Sequence, residues 1–134
     1  MRLPFLSSLS LVLLVAACSL SGCNGTVVVG GVGGDGFDTR PTVSMAASNR
    51  AVTQAGTTTL VAAASDDSQV RDVAFYSLVD NLSTQIGRVT SEPYRISLDF
   101  DRSSNGTHYY FARATDDTGN TSDSGVVTVT VTIP

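Results

Sequence analysis

The feature that most constrains the fold is an alternation of apolar and polar residues that recurs from about residue 40 to the end of the 134-residue chain. Such a period of two places apolar side chains on one face of a β-strand, and no stretch shows the sustained period of a helix. Clusters of Asn, Asp, Gly and Ser separate the alternating segments, as in turns. The predicted inward-facing residues are Val43, Met45 and Ala47; Leu60, Ala62 and Ala64; Val73 and Phe75; Tyr94, Ile96 and Leu98; Tyr110, Ala112 and Ala114; and Val127, Val129, Val131 and Ile133.

With a further short strand near Ile86 to Val89, the pattern predicts about seven strands in about 95 residues. This spacing favours an all-β fold, a single antiparallel sandwich of two sheets over residues 41–134. A chain of this size buries roughly 65% of its unfolded surface, which is sufficient for one core. The segment from Ser77 to Thr84 is longer than a tight hairpin, so the pairing of residues 77–89 stays open.

Several motifs follow one another in this region, and individually each is weak. They are Ala64-Ser65-Asp66-Asp67, Val73-Ala74-Phe75-Tyr76, Glu92-Pro93-Tyr94, Gly106-Thr107-His108 and the run from Ala112 to Asn120. In their order and spacing they resemble bacterial immunoglobulin-like (Big family) domains of surface and secreted proteins. The resemblance implies an immunoglobulin-like sandwich that serves as a non-catalytic spacer, adhesion or ligand-binding module, and the fold alone does not specify a ligand.

Residues 1–22 have the organisation of a secretory signal: a basic start, an apolar run from Leu9 to Ala17, and small residues before Cys23. The run is far shorter than the roughly 20 residues of a membrane-spanning helix. Leu20-Ser21-Gly22-Cys23 resembles the lipobox of bacterial lipoproteins, whose cysteine is acylated and becomes the new N-terminus. Val15-Ala16-Ala17-Cys18 offers a second register, but we favour Cys23 because leucine is the stronger match and the cut follows the whole apolar region. A plain secretory signal is the simpler alternative.

The lipobox resemblance implies a protein of the cell envelope that is held to a membrane by its lipid anchor. In the resembling family, an aspartate directly after the acylated cysteine favours retention in the inner membrane. This chain has Asn24 at that position, which favours the outer membrane if the source has two membranes. Cleavage at Cys23 removes Cys18 and acylates the remaining thiol, so we expect no disulfide in the mature protein.

Residues 23–40 comprise the acylated cysteine and a glycine-rich segment that we interpret as a flexible tether. Two motifs match within it. Gly31 to Gly36 satisfies the dinucleotide-binding pattern G-x-G-x-x-G but lacks the helix that must follow. Gly33 to Asp38 copies the calcium-binding repeat G-G-x-G-x-D without the stacked neighbours that such repeats require. The tether is the favoured interpretation of both.

Charge and chemistry exclude several classes of function. The mature chain keeps seven arginines and no lysine against twelve acidic residues, which argues against nucleic acid as a partner. His108 is the only histidine, so a zinc centre would lack ligands and a His-containing triad would have to use this residue; we favour a structural role for it at the start of the sixth predicted strand. We therefore predict that the protein is not an enzyme and carries no cofactor, calcium being the one candidate.

Calcium is considered because two predicted loops should meet at one end of the sandwich. They bring Asp66 and Asp67 towards Asp116 and Asp117, and calcium binds six to eight oxygens. Aspartates in turns more often cap backbone amides, and we favour that role.

The alternation also places four residues on the outside of neighbouring strands: Tyr76, Tyr109, Phe111 and Arg113. An exposed aromatic cluster can bind a glycan, a peptide or a protein, although ordinary cross-strand pairing explains the same residues and is favoured. Two functional hypotheses result. The protein is either an anchored binding or adhesion module, or a structural component of the envelope without a specific ligand.

Overall fold

The alternating segments form β-strands throughout residues 38–134, the part of the chain described by the structure, which is a computed structural model. The strands are β1 (Thr42–Ala47), β2 (Ala51–Val52), β3 (Gly56–Ser65), β4 (Val70–Val79), β5 (Leu82–Val89), β6 (Arg95–Phe100), β7 (Gly106–Asp116), β8 (Thr121–Asp123) and β9 (Val127–Val131). A single turn of 3-10 helix, Arg102–Ser104, precedes β7. None of the helical structure in residues 38–134 is long and apolar enough to cross a membrane.

The strands are arranged in two sheets that enclose one core. The smaller sheet has the strand order β1-β3-β6, and its pairs are antiparallel. The larger sheet has the order β2-β9-β7-β4-β5, with β8 also paired to β7. Its pairs are antiparallel except for β2 and β9, which run parallel. The all-β immunoglobulin-like sandwich predicted from the sequence is confirmed.

The core lies between the inner faces of the two sheets, where Leu60 of the smaller sheet and Val73, Phe75 and Val129 of the larger are inaccessible to solvent. Ala112 is paired with Phe75 on the neighbouring strand, and its small side chain leaves room for the ring. Burying each large side chain contributes roughly 1.5–3 kcal/mol. Every residue predicted to face inward is buried or half-buried in this core, so the phase is confirmed for the six strands in which inward residues are predicted.

Two short strands are additional to the seven predicted. β2 has two residues and β8 has three, which is too short for an alternation to be seen in the sequence. Between β1 and β2 the chain leaves the smaller sheet for the edge of the larger one. There the side chain of Asn49 accepts a hydrogen bond of 3.1 Å from the Ala51 N–H, which supports the change of direction.

The connection after β4 differs from the sequence interpretation of residues 77–84 as a longer loop. β4 continues to Val79 and β5 begins at Leu82, so only Asp80 and Asn81 form the turn. Both have positive φ, 49° and 66°, as in a two-residue type I′ hairpin. Asp and Asn adopt this left-handed conformation more readily than most other residues. The extra length therefore lies in the strands and not in the loop.

A β-bulge in β5 sets which of its residues face the core. Phe75 pairs with Gly87 and Tyr76 pairs with Gln85, so that Ile86 is the extra residue between the two pairs. The side chain of Ile86 is consequently 38% exposed, although it is apolar. The pairing of residues 77–89 follows from the hairpin and this bulge together.

Candidate functional site

The outer side of the larger sheet carries all four residues predicted as a ligand face. β4 and β7 are antiparallel neighbours, and directly opposed residues on such strands point to the same side. Three opposed pairs define what we call the aromatic face: Tyr76 with Phe111, Leu78 with Tyr109, and Ala74 with Arg113. The sequence alternation thus placed Tyr76, Tyr109, Phe111 and Arg113 on one surface, as the structure has them.

The centre of the aromatic face is a stacked pair of rings. The centroids of Tyr76 and Phe111 are 4.9 Å apart, and the ring planes are 7° from parallel. The guanidinium carbon of Arg113 lies 5.5 Å from the Tyr76 centroid and 6.0 Å from that of Phe111, within the range of cation–π attraction. Arg113 is held there by two hydrogen bonds to Asp123, of 2.6 and 2.8 Å. Cross-strand pairing therefore accounts for these three side chains.

Tyr109 is the member of the aromatic face that cross-strand stacking does not engage. Its side chain is 43% exposed, and it has no stacked or tilted aromatic partner among the residues the structure describes. It lies two residues before Phe111 on β7, so its ring extends the aromatic surface beyond the stacked pair. Tyr109 is thus the ring that a ligand could contact without disturbing the sheet.

A buried carboxylate borders the aromatic face on β4. Asp72 is 2% exposed and accepts hydrogen bonds from Arg71 at 3.0 Å and from Arg88 at 2.5 Å. Burial alone would raise the pKa of Asp72, but the hydrogen bonds and charges of Arg88 and Arg71 outweigh it and hold the pKa below its ordinary value. One carboxylate between two arginines leaves this border with net positive charge.

The end of the sandwich at which the chain enters β1 gathers five carboxylates, which we call the aspartate corner: Asp38, Asp66, Asp67, Asp116 and Asp117. The loop after β3 meets the turn after β7, because Asp117 N–H donates to the Gln69 carbonyl at 3.1 Å. The hydroxyl of Ser68 lies 2.7 Å from Asp66 Oδ2 and 2.9 Å from Asp117 Oδ1. The two loops predicted from sequence to converge therefore do so.

The role of Asp116 in this corner is to cap its own turn. Its Oδ1 accepts the backbone N–H groups of Thr118 at 3.0 Å, Gly119 at 2.7 Å and Asn120 at 2.8 Å. Burial would raise the pKa of Asp116, but the hydrogen bonds from Thr118, Asn120 and Gly119 outweigh it and leave the pKa below its usual value. Asp116 therefore caps this turn from a position with no solvent exposure.

Asp38 is a member of the corner that sequence reasoning did not include. It accepts hydrogen bonds from Asn120 Nδ2 at 2.7 Å and from the hydroxyl of Thr118. Oxygen atoms of Asp38, Asp66 and Asp67 lie within 4.8 Å of one another. The signal available in the sequence is the acidic end of the glycine-rich motif, Gly33 to Asp38, which the sequence interpretation assigns wholly to the tether.

His108 has the structural environment expected of it. Its Nε2 lies 2.7 Å from the carbonyl oxygen of Ser104, in the helical turn that precedes β7. Its ring packs against Phe100, with centroids 5.5 Å apart, and against Tyr110 at 6.3 Å. The histidine therefore ties the turn before β7 to the core.

The acylation candidates Cys18 and Cys23, the signal segment 1–22, the tether up to residue 37 and the two glycine motifs within it lie outside the described residues, apart from Asp38.

The two-sheet sandwich places this protein in the class of immunoglobulin-like modules, which are typically non-catalytic. The polar clusters described above are turn caps and ion pairs, and one sheet carries an aromatic surface. Residues 41–112 match the family described as bacterial Ig domain. The match extends over more than half of the chain, and the protein belongs to this family. No curated protein matches the chain.

Solved structures similar to this one include the fibronectin(III)-like modules of CbhA from Clostridium thermocellum, at 23% identity and a TM-score of 0.58. That similarity covers 70% of this chain and 47% of the other, so this chain spans about half the length of its relative, and it shows the fold. The CARDB domain of the PF1109 protein from Pyrococcus furiosus, solved in complex with di-metal ions, has 10% identity and a TM-score of 0.44 over 72% of this chain and 96% of the other. Similarity at that level carries no argument for this chain.

Proposed function

We propose that this protein is a lipid-anchored component of the cell envelope whose Ig-like domain binds a glycan, peptide or protein ligand through the aromatic face. The observation that carries the proposal is the position of Tyr109, which is 43% exposed beside the stacked rings of Tyr76 and Phe111. The family supports a non-catalytic role, and the aromatic face supplies the kind of surface that such a role requires.

The chemistry of the aromatic face suits recognition. Tyrosine combines a large apolar ring with a hydroxyl that can form hydrogen bonds, and tyrosine and arginine are both enriched among residues that dominate binding energies. Arg113 and the stacked pair form a rigid support because their positions are set by cross-strand contacts. Tyr109 therefore adds exposed ring area to a surface that is already ordered, which lowers the entropic cost of binding.

The anchor is proposed from Leu20-Ser21-Gly22-Cys23, with outer-membrane placement favoured by Asn24 if the source has two membranes. Metabolic labelling with radioactive palmitate in a bacterial host tests it. Cys23→Ser should abolish the label, and Cys18→Ser, the matched control, should retain it. Loss of label only in Cys18→Ser would assign the anchor to the second register, whereas an unlabelled wild-type chain would refute lipid anchoring.

The competing function is that of a structural envelope component with no specific ligand. Probing the full chain against a glycan array and a displayed random-peptide library separates the two. A binding module should select ligands that saturate, and substitution of Tyr109 should weaken them. Absence of any saturable ligand, together with a deletion phenotype limited to envelope integrity, would favour the structural role.

A further inference from the structure

We propose that the ligand of the aromatic face is an acidic glycan, whose carboxylate groups contact an arginine cluster formed by Arg71, Arg88 and Arg113. This inference rests on the proposed function, because it names the ligand class of the same surface. The ligand would be a carboxylated oligosaccharide, such as a short chain of uronic acids.

The arginine cluster lies beside the stacked rings on the outer side of the larger sheet. Ala74 of β4 is directly opposite Arg88 of β5 and Arg113 of β7, so both arginines point to the same side as Ala74. Although Ala74 lies on the outer side, it is only 5% exposed, as expected between two long side chains. Arg71 joins the cluster through Asp72, which accepts hydrogen bonds from both Arg71 and Arg88.

The arginine cluster carries more positive charge than its own carboxylates neutralise. Within residues 38–134 its ion-pair partners are Asp72, which Arg71 and Arg88 share, and Asp123, which pairs with Arg113. Three guanidinium groups against two carboxylates leave a net charge of +1, on a chain whose net charge is −4. An anionic ligand is therefore complementary to this part of the surface, although the protein as a whole is acidic.

The arginine cluster also has hydrogen-bond donors to spare. A guanidinium group has five N–H donors. Among the hydrogen bonds of the described residues, Arg71 and Arg88 each use one donor on Asp72, and Arg113 uses two on Asp123. The three arginine side chains are 51%, 49% and 41% exposed, so the remaining donors are accessible to a ligand. Guanidinium groups fixed in this way present planar donors that match the two oxygens of a carboxylate.

The position of the aromatic face within the sheet favours a glycan over an acidic peptide. Extended peptides bind by adding a strand to a free sheet edge, and helical peptides bind in an apolar groove. β4 and β7 each have a neighbouring strand on both sides, so the aromatic face has no free edge to offer. A sugar ring needs no edge, because its C–H groups can pack against the face of an aromatic ring. The exposed ring of Tyr109 provides such a surface.

The order of the residues along β7 sets the length and direction of the ligand. Tyr109, Phe111 and Arg113 lie on the same side at steps of two residues, so Tyr109 and Arg113 are about 13 Å apart along the strand. One sugar ring is too short to contact both, and the ligand must be an oligosaccharide. The aspartate corner lies just beyond Arg113, where its negative charge would repel a carboxylate. The glycan therefore extends from the arginine cluster towards Tyr109.

Calorimetric titration of the full chain in detergent tests the proposal with charged probes and matched neutral probes. The probes are oligomers of polygalacturonate, alginate and hyaluronate, each beside its methyl ester, which keeps the sugar chain and removes the charge. We expect saturable binding to at least one of the three acids. Its methyl ester should bind about tenfold more weakly or worse, because charge-assisted hydrogen bonds are lost. Affinity for the acid should also fall as salt is raised.

Variants of the arginine cluster locate the contact. Arg88→Gln and Arg113→Gln should each weaken binding of the acid by about tenfold and leave affinity for the methyl ester unchanged. Both arginines also pair with carboxylates of the sheet, so the Tm of each variant is measured as well. A variant that failed to fold would lose both probes, whereas loss of the acid alone reports on the charge contact. Arg95→Gln, an equal change of charge on β6 of the smaller sheet, should bind as the wild type does.

Equal affinity for an acid and its methyl ester would overturn the acidic ligand and leave the proposed function intact. The same conclusion would follow if Arg95→Gln weakened binding of the acid as much as Arg88→Gln and Arg113→Gln do. Saturable binding of acidic peptides alone would replace the glycan by a peptide. Absence of saturable binding to these probes, to a glycan array and to a peptide library would overturn the proposed function together with this inference.

Discussion

The rings of Tyr76 and Phe111 lie face to face across β4 and β7, with centroids 4.9 Å apart and planes 7° from parallel. Each ring covers one face of the other, so the pair acts as a single apolar unit on the outside of the sheet. Tyr109, two residues from Phe111 and 43% exposed, is not part of the stack. Under the proposed function, stability and ligand contact would therefore rest on different residues of the aromatic face, and mutation can separate them.

The stack predicts measurable coupling between its two rings. In a double-mutant cycle of Tyr76→Ala and Phe111→Ala, followed by urea denaturation, we expect an interaction free energy of about 0.5–1.5 kcal/mol. The matched cycle of Tyr76→Ala with Tyr109→Ala should show a smaller value, because those two rings are not stacked. Equal coupling in the two cycles would mean that stacking is not what joins Tyr76 to Phe111.

The hydroxyl of Ser124 accepts the hydrogen bond of a β7 backbone N–H that a neighbouring strand would otherwise accept. We expect this hydroxyl to be required for stability. The Ala112 N–H donates to Ser124 Oγ at 2.9 Å, at a position in β7 with no solvent exposure. Ser124→Ala would leave that buried N–H without a partner, and we expect a loss of about 1–3 kcal/mol in the free energy of unfolding. Ser122→Ala, which removes no side-chain hydrogen bond in the described part of the chain, should cost much less. Similar losses in both variants would contradict this role.

Gly87 allows β5 to pack closely against the smaller sheet. A Cβ at this position would lie 2.9 Å from Cγ2 of Ile96, closer than carbon atoms normally approach. Gly87→Ala should lower the free energy of unfolding by about 1–3 kcal/mol, and by less in an Ile96→Ala background where the obstructing atoms are absent. Gly56→Ala, with no atom within 4 Å of its added Cβ, serves as the control. A cost that Ile96→Ala does not reduce would refute the steric explanation.

Asp72 predicts part of the dependence of stability on acid. Its pKa is lowered in the folded protein relative to the usual 3.8, so its contribution is present above pH 3.8 and is lost as the pH falls through the folded pKa. We expect Asp72→Asn to reduce the free energy of unfolding at pH 7 and to flatten its decline below about pH 4. Denaturation curves across this range, with Asp80→Asn as a charge-matched control, provide the measurement. If the free energy of unfolding of Asp72→Asn declined below about pH 4 as steeply as that of the wild type, the role given to Asp72 would be contradicted.

The parts of the fold that the sequence predicts are those in which packing imposes a strict period. The sequence predicts that Val43, Met45 and Leu60 face inward because a strand with one buried face must alternate, and a slip of one residue would move them to the solvent side. The sequence does not predict β2 and β8, because two or three residues cannot display a period. The Asp80-Asn81 turn was obscured because Leu78 and Val79 are apolar neighbours that break the alternation just before it.

The two candidate sites also differ in how far the sequence predicts them. The aromatic face follows from alternation plus the pairing of β4 with β7, so all four of its predicted members could be named in advance. The aspartate corner depends on how loops fold over the end of the sandwich. Sequence distance gives no hint that Asp38 lies within reach of Asn120, 82 residues away. Nor could it show that one oxygen of Asp116 caps a turn while the other is buried without a partner.

The measurement that tests the central claim most directly is the affinity of Tyr109→Ser for the ligands selected by the full chain from a glycan array and a random-peptide library. Val61→Ser is the matched control, because Val61 is also 43% exposed but lies on β3 of the other sheet. We expect at least a tenfold loss of affinity in Tyr109→Ser, with its Tm unchanged, and wild-type affinity in Val61→Ser. Wild-type affinity in Tyr109→Ser, or an equal loss in both variants, would contradict binding through the aromatic face.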